Sequence, residues 1–177
     1  NLQFMNLIKR YSGEALLVLL TFAYVLYQDI GRHWIDNNDH EIFLAYNAVL
    51  FLSGLEQELY ELPSYFVHLF LSFFLKFFSI FGLFSIHNLQ IFNQTDLNIA
   101  FQEIAFFTRL FAATCSSIFL IIFYNFLQNL VKDKIISFLF TLSLFMSQGY
   151  LLNATQLRVE LLTTLLFFIS IIFILRF

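Results

Sequence analysis

The sequence predicts an all-α protein: a polytopic transmembrane helical bundle whose external loop carries an amphipathic helix and a juxtamembrane helix. Three observations predict it. First, 60% of the 177 residues are hydrophobic and 12% charged, with a mean hydropathy of +0.79. An ordinary soluble domain carries about 25% charged residues, so too few are present to cover a wet surface. Second, Phe fills 27 positions against 5 Gly and 1 Pro, so apolar stretches run on with few breakers. Third, five of those stretches approach the roughly 20 residues needed to cross about 30 Å of hydrocarbon. The same counts exclude disorder, collagen, coiled coil and a disulfide scaffold. Nine Lys and Arg against twelve Asp and Glu leave no basic face for nucleic acid. The single Cys115 sits in an apolar run and says nothing of redox compartment.

The first span covers about 13–30, after Lys9 and Arg10, with Glu14 and Asp29 at its ends. No small-residue cleavage site follows it, so it reads as an uncleaved anchor. The only sizeable polar stretch, 31–63, comes next. Later apolar runs cover 64–86, 99–130, 135–152 and 161–175, the last opening as a span at about 159. The run 99–130 exceeds one perpendicular crossing, so its ends project or it tilts. The start at Met5-Asn6-Leu7 and the end at Arg176-Phe177 lead us to expect one membrane-embedded module belonging to a longer chain.

Cytoplasmic loops are enriched in Lys and Arg, which orients the spans. If all five runs cross, three of the nine basic residues fall inside; if 64–86 does not cross, five do. Within 64–86, Ser64, His68, Ser72, Lys76 and Ser79 recur every three or four residues and share one arc of a helix. Lys76 at a bilayer centre would cost roughly 2.5–3.5 kcal/mol. A helix lying along the outer interface, polar stripe up and Phe face down, avoids that cost. The alternative is a spanning helix whose stripe faces a neighbour. On the first reading 31–98 is one external loop, with helices at about 39–53 and 64–86.

That loop concentrates acid: seven of the twelve carboxylates lie between Asp29 and Glu61, against a single Arg32. Ile42, Phe43, Tyr46, Val49 and Leu50 follow helical spacing up to Gly54. Asn38 and Glu41 stand at N-cap and N3 separation, so a capping box explains part of the acidity. The other reading is chemical: carboxylates and His40, beside an apolar surface on the outer side, offer a general base with access to water and lipid. Asp36, Asp39, His40 and Glu41 are also oxygen and nitrogen ligand types, which makes Asp36, Asp39 and His40 the weaker, metal-binding alternative. Consecutive helical residues diverge by about 100°, so such a site needs non-helical backbone.

Several short motifs, in order, resemble the GT-C superfamily of membrane glycosyltransferases. Asp39, Phe43 and Ser53-Gly54 are similar to the D-E-x-x-Y…x-S-G pattern of the family's first external loop. Gly54 to Tyr65, including Glu61-Leu62-Pro63-Ser64, resembles the segment carrying H-P-P, H-P-G or E-K-P before an apolar helix. Thr108 to Ala113 is similar to the R-L-x-S/A-A opening of the second span, and Gly149 to Asn153 with Arg158-Val159-Glu160 to a later S-x-x-x-x-x-R-x-D/E stretch. The closest subgroup holds the polyprenyl-phosphate-sugar enzymes: protein mannosyltransferases, aminoarabinose transferases and galacturonosyl transferases. The likeness covers nearly all of this chain but only the N-terminal part of such an enzyme.

The resemblance implies transfer of a sugar from a polyprenyl-phosphate donor to a hydroxyl of a lipid, glycan or protein acceptor. The reaction would run at the external face of the inner, cytoplasmic membrane, with membrane lipids around it and no required cofactor. Asp39 falls where the family has its external base, and Glu61 where some members have a second carboxylate; Glu41 is a further orienting acid. Leu62 replaces a Lys or His of many members, and Ser64 a second Pro or Gly. A departing lipid phosphate needs positive charge; Arg109, Arg158 and Lys76 are the candidates. Arg109 snorkelling to the interface and Arg158 pairing with Glu160 are the plainer readings. His33, Trp34 and Tyr60 read as interfacial residues, His87 as a helix-end residue, and Asn93-Gln94-Thr95 and Asn153-Ala154-Thr155 as glycosylation-type tripeptides.

Overall fold

The computed structural model describes residues 2–29, 32–36, 41–58 and 65–176. Among these every regular element is a helix and none is a strand: α1 (Leu2–Asp29), a 3-10 turn (Trp34–Asp36), α2 (Glu41–Leu52), α3 (Tyr65–Ile80), α4 (Leu89–Gln94), α5 (Leu97–Val131), α6 (Lys134–Phe145), α7 (Gln148–Thr155) and α8 (Val159–Arg176). Of the described helices, α5 alone is long and apolar enough to cross a bilayer; α6 and α7 pass only if their bent pair counts as one span.

The fold is organised around α5. Its 35 residues contain neither Gly nor Pro, so nothing interrupts about 52 Å of helix. Asp96 Oδ1 accepts from the Asn98 and Ile99 amides at its start. Lys132, in the left-handed region at φ 58°, closes its end by donating N–H to Gln128 O. Antiparallel to it runs α1, in close approach: a Cβ on Gly13 would lie 2.8 Å from Tyr124 Oη. Leu17, Val25, Ala113, Leu120 and Tyr124 form the apolar core on that side. Parallel to α5 runs α8, whose Phe168 ring meets Phe119, Phe123 and Phe126.

Three sequence expectations are corrected. The run 135–152 is not one helix: α6 and α7 meet at Met146-Ser147 with a bend of 69°. Ser147 starts α7 by accepting from Tyr150 N–H, so a side chain that competes with the helical ladder stands at the break. The juxtamembrane helix stops at Ile80, six residues before 86. Gly82 (φ 69°) ends it, with Leu83 N–H reaching Phe78 O and Gly82 N–H reaching Ser79 O, a Schellman closure. Finally, the polar stripe of α3 does not face water along its length. His68 and Ser72 are buried because α2 packs there, with His68 Nδ1 donating to Leu44 O at 3.1 Å; Lys76 remains exposed. The opposite face, Phe66, Phe70, Phe73 and Phe77, is left open.

A second core joins α2, α3, the 84–86 loop, α8 and the first half of α5: Leu44, Ala48, Leu71, Phe84, Ile104 and Leu161 are among its members. Six-residue α4 was not predicted, being too short to show a helical period; Asn88 caps it by accepting from Ile91 N–H.

Candidate functional site

Residues 32–34 lie against the first half of α5. Trp34 N–H donates to Gln102 Oε1 (3.1 Å) and Trp34 Nε1 to Asn98 Oδ1 (2.7 Å). The Trp34 ring stacks at 4.8 Å on Phe101. Two turns deeper, Arg109 Nη1 donates to Arg32 O at 2.9 Å, and Arg109 is only 4% exposed. Asn98, Gln102 and Arg109 recur on one side of α5, which explains how a single turn can engage all three.

Beside this turn lies a cavity of 540 Å³ between α1 and α5. His33, Asn98, Ile99, Gln102 and Glu103 line the end at the start of α5, and Phe106, Arg109 and Leu110, with Phe22, Val25 and Leu26 of α1, line the rest. Both carboxylate oxygens of Glu103 accept from Ser85, one from its amide and one from its hydroxyl. That pair pins the 82–88 loop between its two buried anchors, Phe84 and Ile86. The lining is therefore amphipathic, mixing amides, a carboxylate and a guanidinium with aromatic and aliphatic carbon. A molecule with an anionic head and an apolar tail suits such a lining.

The sequence-predicted residues fall unevenly around it. Arg109 lines the cavity. Arg158 Nη2 donates to Gln156 Oε1 at 3.3 Å, at the start of α8, and is not part of the lining. Lys76 is exposed on α3, also away from it. Asp39, His40 and Glu61 lie outside the described residues, as do the side chains of Asp36 and Glu41. Among the described residues no group of three His, Cys, Asp or Glu could hold a metal ion; the alternative set of Asp36, Asp39 and His40 falls outside them. Sequence reasoning missed Asn98, Gln102 and Glu103, although polar residues at helical spacing at the head of an apolar run were visible.

Two titratable groups outside the long helices are shifted. Burial lowers the His68 pKa, opposed in part by its bond to Leu44 O. Burial, with Glu58 nearby, raises that of Tyr46. Of the tripeptides, Asn93 is exposed, whereas Thr155 is buried in α7. In comparisons with protein-family models, curated proteins and solved structures, the chain matches none.

Proposed function

We propose that the chain is the membrane-embedded part of a glycosyltransferase that moves a sugar from a polyprenyl-phosphate donor to an acceptor hydroxyl on the external side. The observation that carries this reading is the amphipathic cavity with buried Arg109 in its wall. Depth supports it. Counting about 20 residues of hydrocarbon up from Val131, above the basic Lys132 and Lys134, puts the outer boundary near residue 111. Arg109 then stands at the level of lipid headgroups, among the apolar residues of the lining. Arg158, at the start of α8, comes to a similar level. On this reading α1, α5, the α6–α7 pair and α8 cross the membrane, and 31–98 is external.

The chemistry follows from these positions and the family resemblance. Asp39 accepts the proton of the acceptor hydroxyl as its oxygen attacks the anomeric carbon. The bond from that carbon to the phosphate oxygen breaks with inversion. Arg109, assisted by Arg158, holds the negative charge of the departing polyprenyl phosphate. Glu61 or Glu41 orients sugar or acceptor hydroxyls. No metal or other cofactor enters the step, and acceptors are lipid, glycan or protein rather than nucleic acid.

Arg109→Gln should weaken binding of a short synthetic polyprenyl phosphate by tenfold or more, since a charge-assisted contact contributes about 1.5–3 kcal/mol. Unchanged affinity would overturn the site. Asp39→Asn should abolish transfer from a labelled polyprenyl-phosphate sugar with membrane insertion intact; full turnover would remove Asp39 from the chemistry.

A second reading, a non-catalytic polytopic protein such as a scaffold, degenerate enzyme or transporter fragment, draws on the 69° break between α6 and α7. Broken helices near the midplane mark transporter sites, and Thr21 Oγ1 and Tyr150 Oη meet there at 3.3 Å beside buried Ser116. These side chains are uncharged hydroxyls, so they give a coupling ion no carboxylate. Cysteines placed at Ser53 and Lys132 in a Cys115→Ala background should label from opposite sides of the membrane. Labelling of both from one side defeats the topology.

A further inference from the structure

At the other end of the bundle, α5 and α8 diverge into a second groove, of 670 Å³. Ile122, Asn125, Phe126, Asn129, Ile172 and Phe173 are among its lining residues. The α5 members recur at three- and four-residue steps and form one face. From Ile122 to Leu130 that face is about 12 Å long, close to the roughly 15 Å depth of one leaflet's hydrocarbon. Just beyond it the α5–α6 turn presents Lys132 and Lys134, both exposed. Asp133 between them is tied to backbone, accepting from the Ile135 and Ile136 amides at 2.8 and 3.0 Å.

We propose that this groove holds an anionic phospholipid of the inner leaflet, its acyl chain along α5 and α8 and its phosphate at Lys132 and Lys134. Charge complementarity selects this occupant: Lys132 and Lys134, exposed on the turn that follows the last α5 residue of the lining, offer two ammonium groups beyond the foot of an apolar trough. Asn129, about one turn above Lys132, stands at the level of the glycerol esters, where its amide can donate to an ester carbonyl. Asn125, higher still, satisfies its own amide on Ile121 O at 2.9 Å and leaves the trough's upper part to hydrocarbon. The inference rests on the membrane reading above but not on glycosyl transfer.

Carbonate extraction comes first: release of the chain from membranes would sink the membrane reading and this inference together. With the chain retained, native mass spectrometry compares phosphatidylglycerol with phosphatidylcholine of the same acyl chains. The native chain should keep phosphatidylglycerol at least about fivefold better; equal retention overturns this inference alone. Lys132→Asn with Lys134→Gln should bring the ratio to about one; Asn is chosen because it tolerates the left-handed backbone there. Ile172→Trp, which fills the groove, should reduce retention of both lipids, with circular dichroism confirming helical content. Undiminished phosphatidylglycerol binding in the Trp variant would put the lipid elsewhere. Disulfide-linked dimers through a cysteine at Ile172 would seat a second copy there, and would equally overturn the proposal.

Discussion

On the proposed topology the outer and inner halves of α5 are one unbroken helix built to opposite ends. Between Leu97 and Leu110 its polar side chains reach out to non-helical chain: Asn98 and Gln102 to Trp34, Glu103 to Ser85, Arg109 to Arg32. Between Leu120 and Val131 it meets its neighbours mainly through rings and small residues, with Tyr124 against Gly13 and Phe123 against Phe168. A shared backbone thus carries a region whose polar side chains bind distant segments beside a cavity and a region held to its neighbours chiefly by apolar packing. The lesson is that function is legible where polar groups on a helix leave the helix for partners distant in sequence.

The largest test of that contrast lies in the inner half. Gly13→Val should lower stability in detergent by about 1–3 kcal/mol, because the added carbon has to displace the Tyr124 ring. Tyr124→Phe in the same chain should restore part of the loss by removing the nearest atom; thermal unfolding measures both. A neutral Gly13→Val would show that the close approach is not a packing constraint, and the comparison would fail on that side.

In the outer half, Trp34→Phe removes the bond to Asn98 but keeps an aromatic on Phe101. About 0.5–1.5 kcal/mol of stability should go with it. Binding of the polyprenyl phosphate probe should also weaken, since the Arg32 carbonyl that holds Arg109 belongs to the same turn. Loss of stability with full binding would separate the turn from the cavity.

The smallest expected effect sharpens the boundary between α2 and α3. His68 has its pKa lowered below the usual 6.5 by burial, so the folded chain takes up the proton less readily than the unfolded one. Its contribution is complete above pH 6.5 and is lost as pH falls from there through the lowered folded value. Thermal unfolding should therefore come earlier at mildly acid pH, and His68→Gln should flatten that dependence. An unchanged profile in the variant would assign the acid sensitivity to other groups.

How much of this was legible beforehand differs element by element. The 99–130 run declared α5 because no Gly or Pro interrupts it, and Gly54 declared the end of α2. The α3 stripe was read correctly as a period and incorrectly as a wet face. Periodicity reports which side chains share a side, not what covers them, and α2 covers His68. Ser147 within an apolar run gave too weak a signal for the α6–α7 bend, which only tertiary packing turns into a break. At the candidate site Arg109 stood out as a lone cation in a hydrophobic stretch. Its companions did not, because Asn98 and Gln102 acquire their partners from Trp34, more than sixty residues away in the chain.

A straight mast without a joint has a mechanical consequence. Leaning by 5° about its foot at Val131, α5 would swing its head through about 4.4 Å. Helices longer than the hydrocarbon they cross answer a thinner bilayer by leaning further. On the proposed membrane reading Arg109, about two-thirds of the way up, would travel about 3 Å with each such lean, and the fit of the cavity around a headgroup would be coupled to the thickness of the surrounding sheet of lipid.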